Sequence, residues 1–180
     1  VWIGNFIVAL LVGIVPIWSG IMEIPLMQRA FAIREINAFD FREISWKCLF
    51  SFAIFAFWLT LIREAQKDLE DVKGDKLVGF RTLPIVHGKE LTRRYLSFLY
   101  VLLFIGLGFI TWLVNSWLTS KSTILFNAML AVGVVLPSIY SWFLTLRGTS
   151  NKDFAYVSSI SKWVMAMGII IGILMQTWYL

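Results

Sequence analysis

The run YLSFLYVLLFIGLGFITWLVNSWLTS, Tyr95 to Ser120, is 26 residues long and carries no charge. A bilayer with a hydrocarbon core about 30 Å thick needs roughly 20 apolar residues to be crossed by a helix. Inside hydrocarbon every backbone amide needs an internal partner, so the expected form is helical. The alternation that marks a membrane barrel is absent. The same pattern recurs on both sides of this run. Val1–Met22 has no charge, and neither does Ser122–Leu146. Phe154–Leu180 is interrupted only by Lys162. Cys48–Ile62 is shorter, at 15 residues, and is lengthened by Trp46 and by a snorkelling Lys47.

Composition agrees with that reading. The chain has 180 residues, 59% hydrophobic and 15% charged, with a mean hydropathy of +0.78. Soluble domains are roughly 45–50% apolar and about 25% charged, so a soluble domain, a disordered chain and a secreted disulfide scaffold are excluded. Cys48 is the only cysteine and has no intrachain partner. The expected fold class is an all-α polytopic membrane bundle of five spans, one membrane domain over residues 1–180. The chain opens on Val1, inside an apolar run with no basic segment before it. It is therefore not a signal peptide, and the N-terminus of a longer protein is expected to be missing.

The net charge of +5 sits between the apolar runs. There it speaks for topology and anionic lipid, and with no nucleic-acid-binding motif present no nucleic-acid partner is expected. Five spans put Arg63–Arg94 and Arg147–Asp153 on one side, with ten Lys and Arg, and Glu23–Lys47 and the Asn115–Lys121 link on the other, with five. Basic residues favour the cytoplasm, so the first pair is expected there. Arg147–Asp153 reads as a turn broken by Gly148 and Asn151.

The chemistry lies in REAQKDLEDVKGDKLVGFRTLPIVHG, Arg63 to Gly88, within an expected cytoplasmic loop over 63–91. Asp68, Asp71 and Asp75 are spaced i, i+3, i+7, which on a helix gathers three carboxylates on one face. Glu64 extends that face. Like charges repel at this spacing, so the arrangement calls for a cation. Hard oxygens suit Mg²⁺, which takes one or two carboxylates and completes its shell with phosphate oxygens and water. Lys67, Lys73, Lys76 and Arg81 are interleaved and suit a phosphate or diphosphate. The plain alternative is a solvated juxtamembrane helix in which Lys67 pairs with Asp71 and Glu70 with Lys73, pairs worth little when exposed.

The run Lys67 to Ile85, KDLEDVKGDKLVGFRTLPI, resembles the second aspartate-rich motif of the UbiA superfamily of intramembrane prenyltransferases. Asp68, Asp71 and Asp75 match its DxxDxxxD pattern, Gly79 its glycine, and Arg81-Thr82-Leu83-Pro84 the segment that follows. The family has nine helices, three of them after this motif, so the chain resembles roughly the last five. KDLEDVKGD followed by FRTLPI is most similar to the geranylgeranylglyceryl-phosphate geranylgeranyltransferase branch. The family's first motif, NDxxDxxxD, is absent. Asn37-Ala-Phe-Asp40 does not replace it, since it lacks the later aspartates and falls on the opposite expected side.

The resemblance implies Mg²⁺-dependent transfer of a prenyl group from an isoprenyl diphosphate to a lipophilic acceptor in the bilayer, in ether-lipid or quinone biosynthesis. It implies an integral protein of the inner or cytoplasmic membrane, with the aspartates facing the cytoplasm. It implies that Asp71 and Asp75 ligate Mg²⁺, with Asp68 as a ligand or just behind one, and that Lys67 and Arg81 contact the diphosphate. No residue is assigned to direct action on the acceptor. With half of the metal site absent, these 180 residues alone are expected to be inactive. Two alternatives are a non-enzymatic membrane module and a CDP-alcohol phosphatidyltransferase-like enzyme. The latter needs Gly after its second Asp, where this chain has Val72.

Lys162 is about 12 Å into the last span. It reads either as a snorkelling lysine or as a further diphosphate contact near Ser158 and Ser161. His87 reads as a loop residue, Gly168 and Gly172 as a helix-packing pair, and Trp2, Trp112, Trp117, Trp178 and Tyr179 as interfacial anchors. Pro16 and Pro137 are candidate kinks.

Overall fold

A computed structural model describes residues 2–32, 38–116 and 120–179. Trp117 and Asn37, and the side chains of Trp2, Asp40, Trp178 and Tyr179, lie outside the described residues. Among those described there are helices and no strands. Five helical stretches are long and apolar enough to cross a membrane, so the protein is an integral membrane helical bundle.

Helix α1 (Trp2–Ala32) runs antiparallel to α2 (Ala38–Glu70), which lies centrally and packs on α1, α4 (Leu83–Asn115) and α7 (Asn151–Tyr179). The short α3 (Val72–Val78) joins α2 to α4. The fourth span is composite: α5 (Ser120–Leu130), a π-helical turn (Ala131–Val135) and α6 (Leu136–Arg147). Pro137, near the start of α6, donates no amide proton, and the π turn absorbs the interrupted ladder. In α1 both Pro16 and Pro25 are carried inside one helix.

The helices outrun the apolar stretches. At 33 residues α2 is about 50 Å long, well beyond the hydrocarbon thickness, so its charged ends continue the helix into the headgroup region. What was expected as a loop over 63–91 is thus mostly helix: the end of α2, then α3, then the start of α4. Much of Glu23–Lys47 is likewise helix end.

Many exposed positions on the long helices are apolar, with Leu11, Val15 and Trp18 each more than 60% exposed on α1. Helix contacts use small residues, as expected where burial of oil in oil drives little. Gly168 lies directly against the Phe55 ring, and a Cβ on Gly172 would stand 3.6 Å from Phe52. Gly133 sits against Met167, whose Cε would be 2.7 Å from an added Cβ. Trp112 is exposed near the end of α4, beside Phe109.

Candidate functional site

The end of the bundle that carries the aspartates is tied together by polar contacts between elements. Asn151 Nδ2 donates to the Glu70 carbonyl at 2.9 Å, joining α7 to α2. The Arg93 guanidinium donates to the Gly148 carbonyl, joining α4 to the α6–α7 turn, and stacks over the Phe154 ring. The Arg63–Arg94 and Arg147–Asp153 segments therefore share one end of the bundle. In the Arg147–Asp153 turn Gly148 ends α6 as expected, and only Asn151 departs from the reading. Ser150 and Asp153 form a reciprocal cap: Asp153 Oδ2 accepts from the Ser150 amide at 2.8 Å, and Ser150 Oγ accepts from the Asp153 amide at 3.3 Å. Asn151 is then the first residue of α7, not a stop.

The aspartate segment bends once. Asp71 lies between α2 and α3 with φ −90° and ψ 2°. The helical ladder passes through it: its amide donates to the Lys67 carbonyl at 2.9 Å and its carbonyl accepts from the Asp75 amide at 2.9 Å. Buried Val72 holds the start of α3 against the bundle. Gly79, at φ 82°, ends α3 in the left-handed conformation, and the Phe80 amide bonds back to the Asp75 carbonyl at 2.9 Å. Thr82 precedes α4 in extended conformation, with Pro84 in its first turn. The Gly and the Thr-Leu-Pro of the motif are therefore a stop and a start. A second glycine, Gly88 at φ 83°, kinks α4 just after the exposed His87, which is helical, not part of a loop.

The three carboxylates have different surroundings. Asp68 is half-buried at the end of α2 and accepts a hydrogen bond from Asn5 Nδ2 of α1 at 2.9 Å. Asp75 and Glu64 are close enough for their charges to act on it, and the Leu83 amide faces it. Asp71 is exposed and Asp75 half-buried. Neither shows a side-chain hydrogen bond among the described residues. Glu64 is paired with Arg63 at 2.6 Å and so is not left for a cation. The Lys67–Asp71 and Glu70–Lys73 pairs of the solvated-helix reading do not form, and Lys67, Lys73, Lys76 and Arg81 are all exposed. Among the described residues no three of His, Cys, Asp or Glu converge as a metal cage. The donor set suits a hard cation that needs one or two carboxylates and fills its shell with phosphate and water.

One turn below Glu70 lies a buried polar knot that sequence reasoning missed. Gln66 Nε2 donates to Tyr100 Oη at 2.7 Å and to Ser141 Oγ at 3.2 Å. Tyr100 donates to Ser141 Oγ at 2.8 Å, and Ser161 Oγ donates to Gln66 Oε1 at 2.6 Å. All four side chains are buried, and they link α2, α4, α6 and α7. Ser161 thus turns inward, whereas Lys162 at the same depth projects from the outside of these helices. Ser158 is also buried.

Away from the aspartates, an apolar cavity of about 540 Å³ opens between α1, α2, α4, α5 with its π turn, and α7. Ile24, Phe52, Phe55, Leu107, Phe126 and Gly172 line it. Its α1 wall begins at Ser19, about 20 Å along the helix from Asn5.

Comparison with known proteins accords with this geometry. Residues 1–165 match the sequence pattern of a family described as the UbiA prenyltransferase family. Similar relatives are named digeranylgeranylglyceryl phosphate synthase. That of Methanosphaera stadtmanae is 27% identical over 89% of this chain and 49% of its own length. That of Thermococcus kodakarensis is 31% identical over 88% and 47%, and that of Thermococcus sibiricus 37% identical over 49% and 25%. The chain spans about half the length of the relatives it matches most fully. No solved structure matches it significantly.

Proposed function

Because the chain belongs to the UbiA prenyltransferase family, we propose that the complete protein transfers a prenyl group from an isoprenyl diphosphate to a lipophilic acceptor within the membrane. The observation that carries the reading is the state of the aspartate segment: among the described residues Asp71 and Asp75 show no side-chain partner, and Lys67 and Arg81, at either end of the same segment, are exposed and show no ion pair. Family membership argues against a CDP-alcohol transferase and a non-enzymatic module. The relatives' name adds a substrate class. A digeranylgeranylglyceryl phosphate carries two geranylgeranyl groups, so the acceptor proposed is a glycerol phosphate ether bearing one, and the donor geranylgeranyl diphosphate.

Asp71 and Asp75 would hold Mg²⁺, with Asp68 beside them. Bound there, the ion supplies positive charge to the diphosphate. Lys67 and Arg81 hold the remaining diphosphate oxygens by charge-assisted hydrogen bonds. Lys162 is proposed as a further contact; it is exposed on the outer side of α7 at the depth of Gln66, so its ammonium would have to reach toward the aspartate end. The bond from the first prenyl carbon to the diphosphate oxygen breaks, and a bond from that carbon to the acceptor oxygen forms. The acceptor hydroxyl gives up its proton. The apolar helices keep water from the cationic prenyl carbon, and the 540 Å³ cavity has the lining and distance to take the tail. The site faces the cytoplasm, in the cytoplasmic membrane.

The test is an acceptor panel. Full-length protein in lipid vesicles is given radiolabelled geranylgeranyl diphosphate with Mg²⁺ and either geranylgeranylglyceryl phosphate or a prenyl-accepting quinone precursor. The expected result is label in a di-ether lipid with the first acceptor only. Label in the quinone would move the protein to another branch, and label in neither would overturn the reading.

A further inference from the structure

We infer that Asn5 is a positioning residue for the metal site, acting through Asp68. The inference deepens the reading above and rests on it.

Among Asp68, Asp71 and Asp75, it is Asp68 that is held from another span. Asn5 Nδ2 donates to its Oδ2 at 2.9 Å across 63 positions of sequence. A carboxylate has about four acceptor positions; the Asn5 amide and the facing Leu83 amide take two of them, which leaves acceptor positions for a cation or its bound water. Asn5 is the one carboxamide in the uncharged run Val1–Met22. Ordering a carboxamide in a membrane helix is costly unless it finds a partner, and Asp68 is the partner it finds.

The chemistry of the donor matters. Lysine or arginine at this place would hold Asp68 equally well but cancel its charge, and would repel Mg²⁺. A neutral amide fixes the carboxylate and leaves its full negative charge for the ion. Carboxylates that serve a metal are commonly held by such outer hydrogen bonds, and losing one weakens metal affinity about 10- to 100-fold. The bond also makes the first span part of the site. With Glu64 paired to Arg63 at 2.6 Å, Asp75, across the bend on α3, remains the neighbouring carboxylate whose charge acts on Asp68. The aim of Asp68 then depends on α1 as well as on α2.

The experiment measures binding of Mn²⁺, used alone as the probe, to the full-length protein by loss of the free-ion paramagnetic resonance signal. Thermal stability is recorded on the same samples. Asn5→Leu removes the donor and is expected to weaken Mn²⁺ binding at least tenfold with an unchanged Tm. Asn5→Gln keeps an amide and is expected to recover most of the affinity. Asn5→Lys keeps a bond to Asp68, and is expected to hold or raise Tm while binding Mn²⁺ more weakly than Asn5→Leu does. Native affinity in Asn5→Leu would overturn the inference. So would loss of Tm in step with affinity in both Asn5→Leu and Asn5→Gln, which marks a packing residue. Asp71→Ala and Asp75→Ala are measured alongside. If they also bind Mn²⁺ normally, the metal-site reading itself fails; if they lose Mn²⁺ while Asn5→Leu does not, only the role of Asn5 falls.

Discussion

At the scale of single residues, the aspartate spacing was legible and its consequences were not. Asp68, Asp71 and Asp75 stand at helical intervals in the sequence, but the chain bends at Asp71, so that Asp68 lies on α2 and Asp75 on α3, still near enough for their charges to act on each other. No local pattern could pair Asp68 with Asn5, because the contact joins two spans. Lys67 and Arg81 are exposed beside the bend, whereas Lys162 projects from α7 a turn deeper. Hydrogen bonds to charged groups contribute about 1.5–3 kcal/mol. Lys67→Ala and Arg81→Ala are therefore each expected to raise KM for the prenyl diphosphate at least about tenfold, read from steady-state kinetics of the full-length enzyme. Lys162→Met should do the same and Lys162→Arg should not. A lysine left in lipid near mid-bilayer costs about 2.5–3.5 kcal/mol on insertion scales, a cost avoided if its ammonium either snorkels to the headgroups or meets the diphosphate. Unchanged kinetics in Lys162→Met would make it a snorkelling residue.

At the scale of elements, the apolar runs gave the number and order of the spans but not their ends. Charge closed the second run at Ile62, yet α2 continues to Glu70, because Ala65, Gln66 and Leu69 still face the core. That extension carries Asp68 into place. Gln66 has no periodic signal; its partners come from three other helices. The knot fixes the rotation of α2 directly beneath the carboxylates. Replacing Gln66 by Leu leaves Ser161 without its acceptor, while Tyr100 and Ser141 keep each other. The expected loss is about 1–2 kcal/mol, measured as a lowered Tm or unfolding midpoint in detergent micelles. A variant as stable as the native protein would show the knot to be incidental. Gly168 and Gly172 were readable as packing residues from their spacing, and they meet Phe55 and Phe52 of α2. Gly88 was not readable as a kink, since its left-handed φ of 83° has no sequence mark beyond the glycine itself.

At the scale of the whole molecule, the motif placed the chain in its family, and the two basic segments were placed at one end before Arg93–Gly148 and Asn151–Glu70 joined them there. The proposed sidedness rests on ten basic residues against five. A cysteine at exposed Lys76, in a Cys48→Ser background, is expected to react with a membrane-impermeant maleimide in inverted vesicles and not in intact cells; the reverse would invert the topology. The 180 residues alone, about half the length of the relatives they match, are expected to insert and not to catalyse. Prenyl transfer by the purified segment would contradict that. The central claim is that the aspartate bend is where the diphosphate departs. Its most direct test is diphosphate release from geranylgeranyl diphosphate, with Mg²⁺ and acceptor, by full-length native, Asp71→Ala and Asp75→Ala proteins inserted equally into the same vesicles. The account predicts release by the native protein, none without Mg²⁺, and a loss of at least about a hundredfold in each variant, a barrier increase of about 2.7 kcal/mol. Near-native release in either variant would contradict it.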